Sequence, residues 1–377
     1  MLGTLRALFW LNAGALAWTH AGYPLAAAAL ARRRPRPLRK DDITPSVTVV
    51  VAAHDEERVI GRRVENLLAL DYPADRLQVV VASDGSGDGT DEVVEAVAAR
   101  DARVRLARWP RGGKTAAQDA VVAETTSDVV AFSDANSTWA PDALRRLVRA
   151  FADPDVGYVC GRLELERPDG TSREPLYWRY ELWLRESESA LAGVTAGNGA
   201  IYAVRREDYR ESDPRLGHDL GFPYLMVQRG RRPVYEPEAV AFEKASDESE
   251  DEYGRRVRMH AQGWLHLLSG RMLQPTEPLY LAQLVSHRVL RYASGLLHVG
   301  LFVSSAGLTG RAPVYRLALV MQLAWLGLAA AGRLRLPLPG ASLAYYYLVV
   351  SSATVAGLAR CLRGSVPAVW EKAAGTR

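Results

Sequence analysis

The chain has 377 residues, which is long enough for one α/β domain of ordinary size together with further elements. Its formal net charge of +4 is too small to indicate binding to nucleic acid, and we expect no nucleic-acid partner. The two cysteines, Cys160 and Cys361, lack the spacing of a metal site and allow at most one bridge, so we expect a reducing compartment.

An apolar run occupies residues 7–31 and has roughly the length needed to cross the hydrocarbon core of a membrane. A basic cluster follows it directly, at Arg32, Arg33, Arg34, Arg36, Arg39 and Lys40. Because positive charge stays on the cytoplasmic side, residues 1–40 are predicted to form a transmembrane anchor with a basic cytoplasmic flank. A cleaved signal peptide is the alternative, but it would carry its positive charge before the apolar run.

The polar middle of the chain, residues 41–254, alternates short β-branched runs with amphipathic stretches. The predicted strands are 47–51, 77–82, 104–107 and 129–132, and the predicted helices are 57–70, 88–100, 115–124 and 141–153. This alternation indicates parallel βαβ units. Six acidic side chains within residues 243–252 predict a solvated loop near the end of the domain.

Apolar segments return in the last third of the chain. Residues 255–275 are predicted to form an interfacial amphipathic helix, because 255–268 is basic and aromatic with an apolar face. Residues 276–377 contain three apolar stretches of roughly one bilayer span each, near 289–307, 314–332 and 341–360. Three spans would leave the C-terminus outside, whereas its basic residues favour the cytoplasm, so the number of spans stays open. Those basic residues are Arg360, Arg363, Lys372 and Arg377.

Acidic residues follow the first two predicted strands, in His54-Asp-Glu-Glu57 and in Ser83-Asp-Gly-Ser-Gly-Asp-Gly-Thr90. Ligands of an open parallel sheet bind beyond the carboxyl ends of its strands, so both segments are placed to face one ligand. Asp84 would accept hydrogen bonds from a base or a ribose, and the glycines after it allow a close approach to the backbone. Taken alone, the pattern fits two plain turns with helix caps equally well.

Two glycine-rich segments fail the tests for commoner phosphate-binding motifs. The segment from Gly85 has Thr90 where a dinucleotide fingerprint needs its third glycine. The segment Gly112-Gly-Lys-Thr115 resembles the end of a P-loop, but Arg108 stands where the first glycine belongs. Lys114 still follows two glycines and opens a predicted helix, which is a suitable place for a cation near phosphates.

The fourth predicted strand delivers Asp134 and Asn136, two residues apart, in the segment Ser133-Asp-Ala-Asn136. Hard oxygen ligands suit Mg²⁺ or Mn²⁺, either of which would also hold a diphosphate. In isolation, an Asx-rich turn before the next helix explains the same residues.

The order of these segments resembles the family-2 glycosyltransferases with the GT-A fold, in their membrane-bound bacterial form. The resemblance rests on the segments above and continues through Ala196-Gly-Asn-Gly-Ala200, Gly217-His-Asp219 and Arg232-Pro-Val-Tyr-Glu236. It covers roughly residues 45–265 and implies a Rossmann-like, mostly parallel α/β sheet that binds a nucleotide-sugar, flanked by transmembrane helices.

The resemblance also implies roles for individual residues. The nucleotide-sugar would be bound by Ala53, Glu56, Asp84, Lys114 and Asp134. The metal ligands would be Asp134 and Asn136, and Asp219 would be the general base. Contacts with the acceptor or the diphosphate would come from Gly197, Asn198, Arg255 and Arg258.

This sequence departs from the family pattern at three places. Asn136 replaces a carboxylate of the Asp-x-Asp metal motif, and His218 replaces the acid that usually precedes the base. The Gln-x-x-Arg-Trp motif falls on residues 255–259, with Arg255 in place of Gln and Met259 in place of Trp. The loss of that aromatic platform favours short, non-processive transfer.

The resemblance implies an inverting transferase that moves a sugar, with a UDP-sugar as the first expectation, to a glycan or lipid-linked acceptor. We expect membrane lipids as partners, a multi-pass protein of the cell membrane, and a catalytic domain at the cytoplasmic face. The alternatives are a processive polysaccharide synthase, a polyprenyl-phosphate glycosyltransferase and a non-catalytic nucleotide-sugar-binding membrane protein.

Overall fold

The structure is a computed structural model that describes residues 2–166, 176–244, 249–274 and 276–369. The chain divides into two compact units. The helical unit contains residues 1–26, 249–268 and 282–366, and the sheet unit contains residues 27–248, 269–281 and 367–377.

The strands of the sheet unit form one sheet in the order β3-β2-β1-β4-β7-β6-β8-β5. They are β1 (Val47–Ala53), β2 (Leu77–Asp84), β3 (Val104–Trp109), β4 (Val129–Asp134), β5 (Thr138–Trp139), β6 (Val156–Glu166), β7 (Tyr202–Arg205) and β8 (Arg232–Lys244). The first four strands pair in parallel, as do β6 and β8. The strand β7 is antiparallel to β4 and β6, and β5 is antiparallel to β8.

The helices of the whole chain follow in sequence order. They are α1 (Leu2–Ala17), α2 (Tyr23–Arg33), α3 (Glu57–Leu68), α4 (Thr90–Ala98), α5 (Lys114–Glu124), α6 (Ala143–Val148), α7 (Leu176–Ser189), α8 (His218–Gln228), α9 (Ser249–Leu268), α10 (Pro278–Gln283), α11 (Leu290–Tyr292), α12 (Ser294–Leu308), α13 (Pro313–Arg333) and α14 (Ala341–Leu362). Short 3₁₀ turns occur at Ala74–Arg76, Arg149–Ala152 and Arg206–Asp208, and π-helical turns at Trp18–Gly22 and Leu284–Val289.

The sheet is covered on both faces, which explains why β1 is buried along its whole length. Alternate side chains of β1 point to opposite faces, so Val49 and Val51 join one hydrophobic cluster and Val50 joins the other. On the first face the apolar stripe of α3, including Ile60 and Val64, fills the core. The opposite face is covered in part by α5. The predicted α/β fold class is therefore confirmed.

The register brings the chemistry-bearing segments to one edge of the sheet. Ala53 at the end of β1 pairs with Ser83 of β2, and Ala52 pairs with Asp134 of β4. The carboxyl ends of three parallel strands therefore lie side by side, and the segments that follow them are neighbours in space.

Within the helical unit, α9 packs closely against α14. Gly357 lies so near to α9 that an added Cβ would be 2.8 Å from the Cβ of His260 and 2.9 Å from the backbone nitrogen of Ala261. The indole nitrogen of Trp264 donates a hydrogen bond of 2.9 Å to the carbonyl oxygen of Thr354. The predicted helix over 255–275 thus begins earlier, at Ser249, ends at Leu268, and buries one face against a neighbouring helix.

Two helices of the described residues, α13 and α14, are long and apolar enough to cross a membrane. A third span is possible if Pro278–Tyr292 and Ser294–Leu308, which meet at 65°, count as one. The predicted anchor at 7–31 falls on α1, a π-helical turn and α2, and neither α1 with 16 residues nor α2 with 11 reaches that length alone. The anchor therefore stays a prediction.

The acidic segment 243–252 is less of a loop than the sequence indicates. Strand β8 continues to Lys244 and α9 begins at Ser249, so the prediction is wrong for both ends of the segment. Residues 245–248 lie outside the described part of the chain, as do Lys372 and Arg377.

Candidate active site

The first two motifs interlock beyond the ends of β1 and β2. Asp55 adopts a left-handed backbone conformation with φ of 51°, and its Oδ1 accepts a hydrogen bond of 2.6 Å from the Gly87 amide. The Glu56 amide donates a hydrogen bond of 2.6 Å to the hydroxyl of Thr90, which starts α4. These bonds hold Glu56, whose side chain is buried, three residues beyond the buried Ala53 at the sheet edge.

Asp84 organises the loop that leads to Lys114. Its fully buried carboxylate accepts a hydrogen bond of 2.7 Å from Nη1 of Arg111 and one of 2.6 Å from the Gly112 amide. The Gly113 amide is 3.0 Å from both carboxylate oxygens. Gly113 has φ of 100°, a conformation that glycine adopts without strain, so the two glycines shape this loop.

Arg111 was missed by the sequence reasoning. Its pairing with Asp84 has a functional consequence, because a nucleotide base that binds to Asp84 must share the carboxylate with Arg111.

Lys114 and Asp134 form an ion pair at the N-terminus of α5. Burial by itself lowers the pKa of Lys114. The charge and hydrogen bond of Asp134, with the charges of Asp219 and Glu243, outweigh burial, so the net pKa of Lys114 is raised. Lys114 therefore carries a full positive charge beside the acidic residues of this edge.

A glycine turn connects this ion pair to Asp219. At one end, the Gly197 amide donates a hydrogen bond of 2.7 Å to the backbone oxygen of Asp219. At the other end, a Cβ at Gly199 would lie 2.8 Å from Oδ2 of Asp134 and 3.1 Å from Nζ of Lys114. Residues 197–199 thus span the space between the predicted base and the predicted diphosphate site, and positions 197 and 199 have no room for a side chain.

Asp219 lies in the first turn of α8, where the helix N-terminus favours a negative charge. Its Oδ1 accepts a hydrogen bond of 3.0 Å from the Leu220 amide, and its side chain is half-buried. A carboxylate that is partly open to solvent is placed to accept a proton from an incoming hydroxyl group.

Asn198 uses its side chain within the protein. Its Nδ2 donates a hydrogen bond of 2.8 Å to the Gly161 oxygen, and its Oδ1 accepts hydrogen bonds from the amides of Ala200 and Ile201. These bonds fix the turn that contains Gly197 and Gly199. Asn198 therefore shapes this turn, and its predicted contact with the acceptor or the diphosphate stays a prediction.

His218 is held in an aromatic cluster. Its Nδ1 lies 3.2 Å from the hydroxyl of Tyr202, and its Nε2 lies 3.3 Å from Oδ1 of Asp119. The ring stacks on Phe222 with centroids 4.4 Å apart. These contacts anchor α8 and give the side chain a structural role, whereas the sequence left open that His218 tunes Asp219.

The possible metal ligands of this site fit a divalent cation that is also held by the substrate. Asp134 and Asn136 offer hard oxygen atoms, and both side chains are half-buried at the sheet edge. Among the described residues, no group of three or more His, Cys, Asp or Glu side chains is placed to hold a metal ion. Mg²⁺ and Mn²⁺ sites with one or two carboxylates are completed by phosphate oxygens and water, so the set present here is compatible with such an ion.

Arg63 is a second basic residue that the sequence reasoning missed. Its side chain lies on α3 with only 2% exposed, and its guanidinium group is 4.9 Å from the ring centroid of Trp139. Burial lowers the pKa of Arg63 to about 9, although the carboxylates of Asp134 and Glu243 oppose that shift. Arg63 therefore places positive charge beneath the edge that carries Asp134.

Arg255 and Arg258 lie on α9, in the helical unit. Arg255 is exposed, and its Nη1 is 4.0 Å from the sulfur of Met259. Their neighbour Arg256 donates a hydrogen bond of 3.1 Å to the hydroxyl of Tyr346 on α14. The predicted diphosphate contacts of Arg255 and Arg258 stay predictions.

Residues 48–212 match the family model described as Glycosyl transferase family 2. A β-monoglucosyldiacylglycerol synthase of Synechocystis is 34% identical over 160 residues, which are 40% of this chain and 33% of that protein. An N-acetylglucosaminyltransferase of Sinorhizobium fredii is 28% identical over 225 residues, which are 54% of each chain. The chain thus spans about a third to a half of the length of the curated relatives it matches.

A solved structure shares the fold over nearly the whole chain. It is the mannosyltransferase PcManGT from Pyrobaculum calidifontis in complex with GDP-Man and Mn²⁺, with a TM-score of 0.72 and 23% identity. The likeness covers 96% of this chain and 99% of the other. Residues 48–212 therefore match a family-2 glycosyltransferase domain, and the shared sheet shows the GT-A fold.

Proposed function

We propose that this protein is a membrane-bound, inverting glycosyltransferase that moves a sugar from a nucleotide-sugar to a glycan or lipid-linked acceptor. The carrying observation is the glycine turn at residues 197–199, which contacts Asp219 at one end and the Lys114–Asp134 pair at the other. A base and a diphosphate site on the two sides of one turn suit an acceptor hydroxyl that attacks a sugar between them.

The residues at the carboxyl ends of β1 and β2 support the binding of a nucleotide-sugar donor. Ala53, Glu56 and Asp84 line the ends of neighbouring strands, where nucleotides bind in open α/β sheets. A UDP-sugar is the first expectation. The shared-fold structure contains GDP-Man, so a guanosine donor is the second one to test.

The chemistry needs one carboxylate base. Asp219 would accept the proton of the acceptor hydroxyl as the oxygen attacks the anomeric carbon from the face opposite the leaving group. A single displacement of this kind inverts the anomeric configuration. When bound at Asp134 and Asn136, Mg²⁺ or Mn²⁺ would neutralise part of the charge on the departing nucleoside diphosphate. Lys114, charged and close to Asp134, would contribute a fixed positive charge to the same group.

The acceptor side points to the membrane. Two helices are long and apolar enough to cross a bilayer, and one relative makes a glycolipid according to its name. The basic cluster after residue 31 favours a catalytic domain at the cytoplasmic face. Met259 in place of the family's aromatic residue supports transfer of one or few sugars.

A donor panel tests the proposal. Full-length protein in lipid nanodiscs is incubated with UDP-, GDP- and dTDP-sugars, a membrane lipid extract and Mn²⁺, and released nucleoside diphosphate is measured. We expect release from one donor class, and the product's anomeric proton coupling in NMR should show inversion. Binding of a donor without any transfer would instead favour a non-catalytic nucleotide-sugar-binding protein, and long polymer would favour a processive synthase.

A further inference from the structure

The metal triplet of this chain, Asp134-Ala-Asn136, has one carboxylate where the family pattern has two. Asn136 brings a neutral amide where a second carboxylate is expected, and one oxygen of Asp134 is already paired with Lys114. A divalent cation at this edge would gain from another carboxylate close by, since ligand charge sets much of its affinity.

Strand pairing places Glu243 beside this triplet. The short strand β5 runs antiparallel to β8, with Thr138 opposite Phe242 and Trp139 opposite Ala241. Continuing that register puts Glu243 opposite Ser137. The hydroxyl of Ser137 donates a hydrogen bond of 3.0 Å to the backbone oxygen of Asp134, so Ser137 belongs to the turn that carries the metal triplet.

The surrounding charges agree with this placement. Lys114 and Arg63 come from different elements, and each interacts electrostatically with both Asp134 and Glu243. Glu243 as a residue is half-buried, although its Oε1 is shielded from solvent. Two carboxylates therefore lie within electrostatic range of the same two cations, and the second carboxylate comes from β8.

We propose that Glu243 supplies the carboxylate that Asn136 lacks and binds the divalent cation together with Asp134. This inference rests on the proposed function, because it assumes that the edge binds Mg²⁺ or Mn²⁺. The competing explanation is that Glu243 serves only as a counter-charge for Arg63.

Mn²⁺ alone is the probe, with free Mn²⁺ measured by its electron paramagnetic resonance signal during titration of the full-length protein. Glu243→Gln should weaken Mn²⁺ binding about 10-fold or more, the range typical for loss of a metal-supporting residue. Adding Asn136→Asp to that variant should restore affinity to within about 3-fold of wild type, because the triplet regains a carboxylate.

Glu164→Gln is the matched control. Glu164 is a half-buried acid on the neighbouring strand β6, paired with Arg162 at 3.2 Å, and its loss should leave Mn²⁺ affinity unchanged. Glu243→Asp keeps the charge and should retain more affinity than Glu243→Gln, which guards against a folding defect. Thermal unfolding is recorded for every variant.

The outcomes separate the two proposals. Unchanged Mn²⁺ affinity in Glu243→Gln, or no restoration by Asn136→Asp, overturns the role of Glu243. If Asp134→Ala abolishes Mn²⁺ binding in the same titration, the proposed cation site survives that result. If Asp134→Ala has no effect either, the cation site itself is wrong, and with it the basis of both proposals.

Discussion

Asp219 lies at a helix N-terminus, and its backbone oxygen accepts a hydrogen bond from the Gly197 amide. Asp219→Asn keeps the size of the side chain but removes its ability to accept a proton. We expect transfer to fall by about 10²–10⁴ while donor binding stays close to wild type. The measurement is the rate of nucleoside diphosphate release at saturating donor, with the donor Kd determined by calorimetry.

Asp71→Asn is the control for this substitution, because Asp71 is an exposed partner of Arg145 far along the chain from the glycine turn. It makes the same chemical change and should leave the rate unaltered. Turnover near the wild-type level in Asp219→Asn would remove Asp219 from the role of base.

Asp134 is the only carboxylate of the metal triplet. Asp134→Ala should therefore abolish metal-dependent donor binding, and it also leaves the charge of Lys114 without its ion-pair partner. Calorimetric titration of Mn²⁺ in the presence of UDP or GDP measures the loss. Asn136→Asp, which restores the family's acid, should tighten the ion, and weaker binding in that variant would contradict the ligand assignment.

The sequence motifs predicted where the residues of the site lie better than they predicted the contacts that each side chain makes. The motifs correctly brought Glu56, Asp84 and Asp134 to one edge, because the ends of parallel strands must meet there. The pairing of Arg111 with Asp84 joins residues 27 positions apart through a loop conformation that no local pattern encodes. The inward bonds of Asn198 likewise depend on Gly161 of a distant strand.

At the scale of elements, the parallel half of the sheet was predictable and the antiparallel half was not. Strands β1, β2 and β4 begin in Val-rich runs, the first three strands are each followed by a helix, and all four predicted helices exist with shifted ends. Strand β7 has four residues, and β6 and β8 pair in parallel although 65 residues separate their ends. Pairing of that kind is set by tertiary contacts, which strand propensity does not report.

Strands β1 and β4 are tied at their starts by Ser46 and Asp128. Oδ2 of Asp128 accepts hydrogen bonds of 2.9 Å from the Ser46 amide and 2.7 Å from the Ser46 hydroxyl. These bonds hold the pKa of Asp128 below its ordinary value. A depressed carboxyl pKa adds stability above the unfolded pKa, and that stability disappears as pH falls through the folded pKa.

Asp128→Asn should therefore lower the unfolding temperature at pH 7. The loss in the free energy of unfolding should be less than about 1 kcal/mol, because the carboxyl group is exposed and its interactions are screened by solvent. The difference from wild type should shrink as the pH falls below 4 and wild-type Asp128 becomes protonated. Thermal unfolding between pH 7 and pH 3 measures it. Asp75→Asn, at a largely exposed aspartate, is the control, and a pH-independent difference would contradict the assignment.

Helix α9 carries Arg255, which replaces the Gln of the family's Gln-x-x-Arg-Trp motif, and Arg258, which matches its Arg. Arg255 and Arg258 are three residues apart, a spacing that lets two guanidinium groups share a helix face. If they grip the departing diphosphate, Arg258→Ala should cut transfer at least 10-fold even in neutral detergent. If they bind anionic headgroups, activity should fall only in bilayers with anionic lipid. Transfer rates in the two environments decide between the roles.

At the scale of the whole molecule, the two units are stabilised differently. Among the described residues, the two hydrophobic clusters on the faces of the sheet are built from residues of the sheet unit alone. In the helical unit, small residues let helices approach closely, as Gly357 does for α9 and α14. Hydropathy predicted the apolar segments but not that α9 would bury Trp264 against α14, because composition does not identify a helix's neighbours.

Gly357→Leu tests whether the two units are independent in stability. A side chain at this position would meet the backbone of Ala261 at 2.9 Å, and backbone cannot yield as a flexible side chain can. The helices must separate, which typically costs about 1–3 kcal/mol and occasionally more. Gly327→Leu on α13 is the matched control, because nothing lies within 4 Å of a Cβ there. We expect Gly357→Leu to lower the unfolding temperature of the full chain in detergent and Gly327→Leu to leave it unchanged.

The two hydrophobic clusters of the sheet unit include no residue of α9 or α14. The affinity for a nucleoside diphosphate should therefore stay at the wild-type value in both variants. Calorimetry below the unfolding temperature measures this affinity. A loss of nucleotide binding in Gly357→Leu would show that the packing of α9 on α14 also supports the nucleotide site, and the two units would then have to be treated as one folding unit.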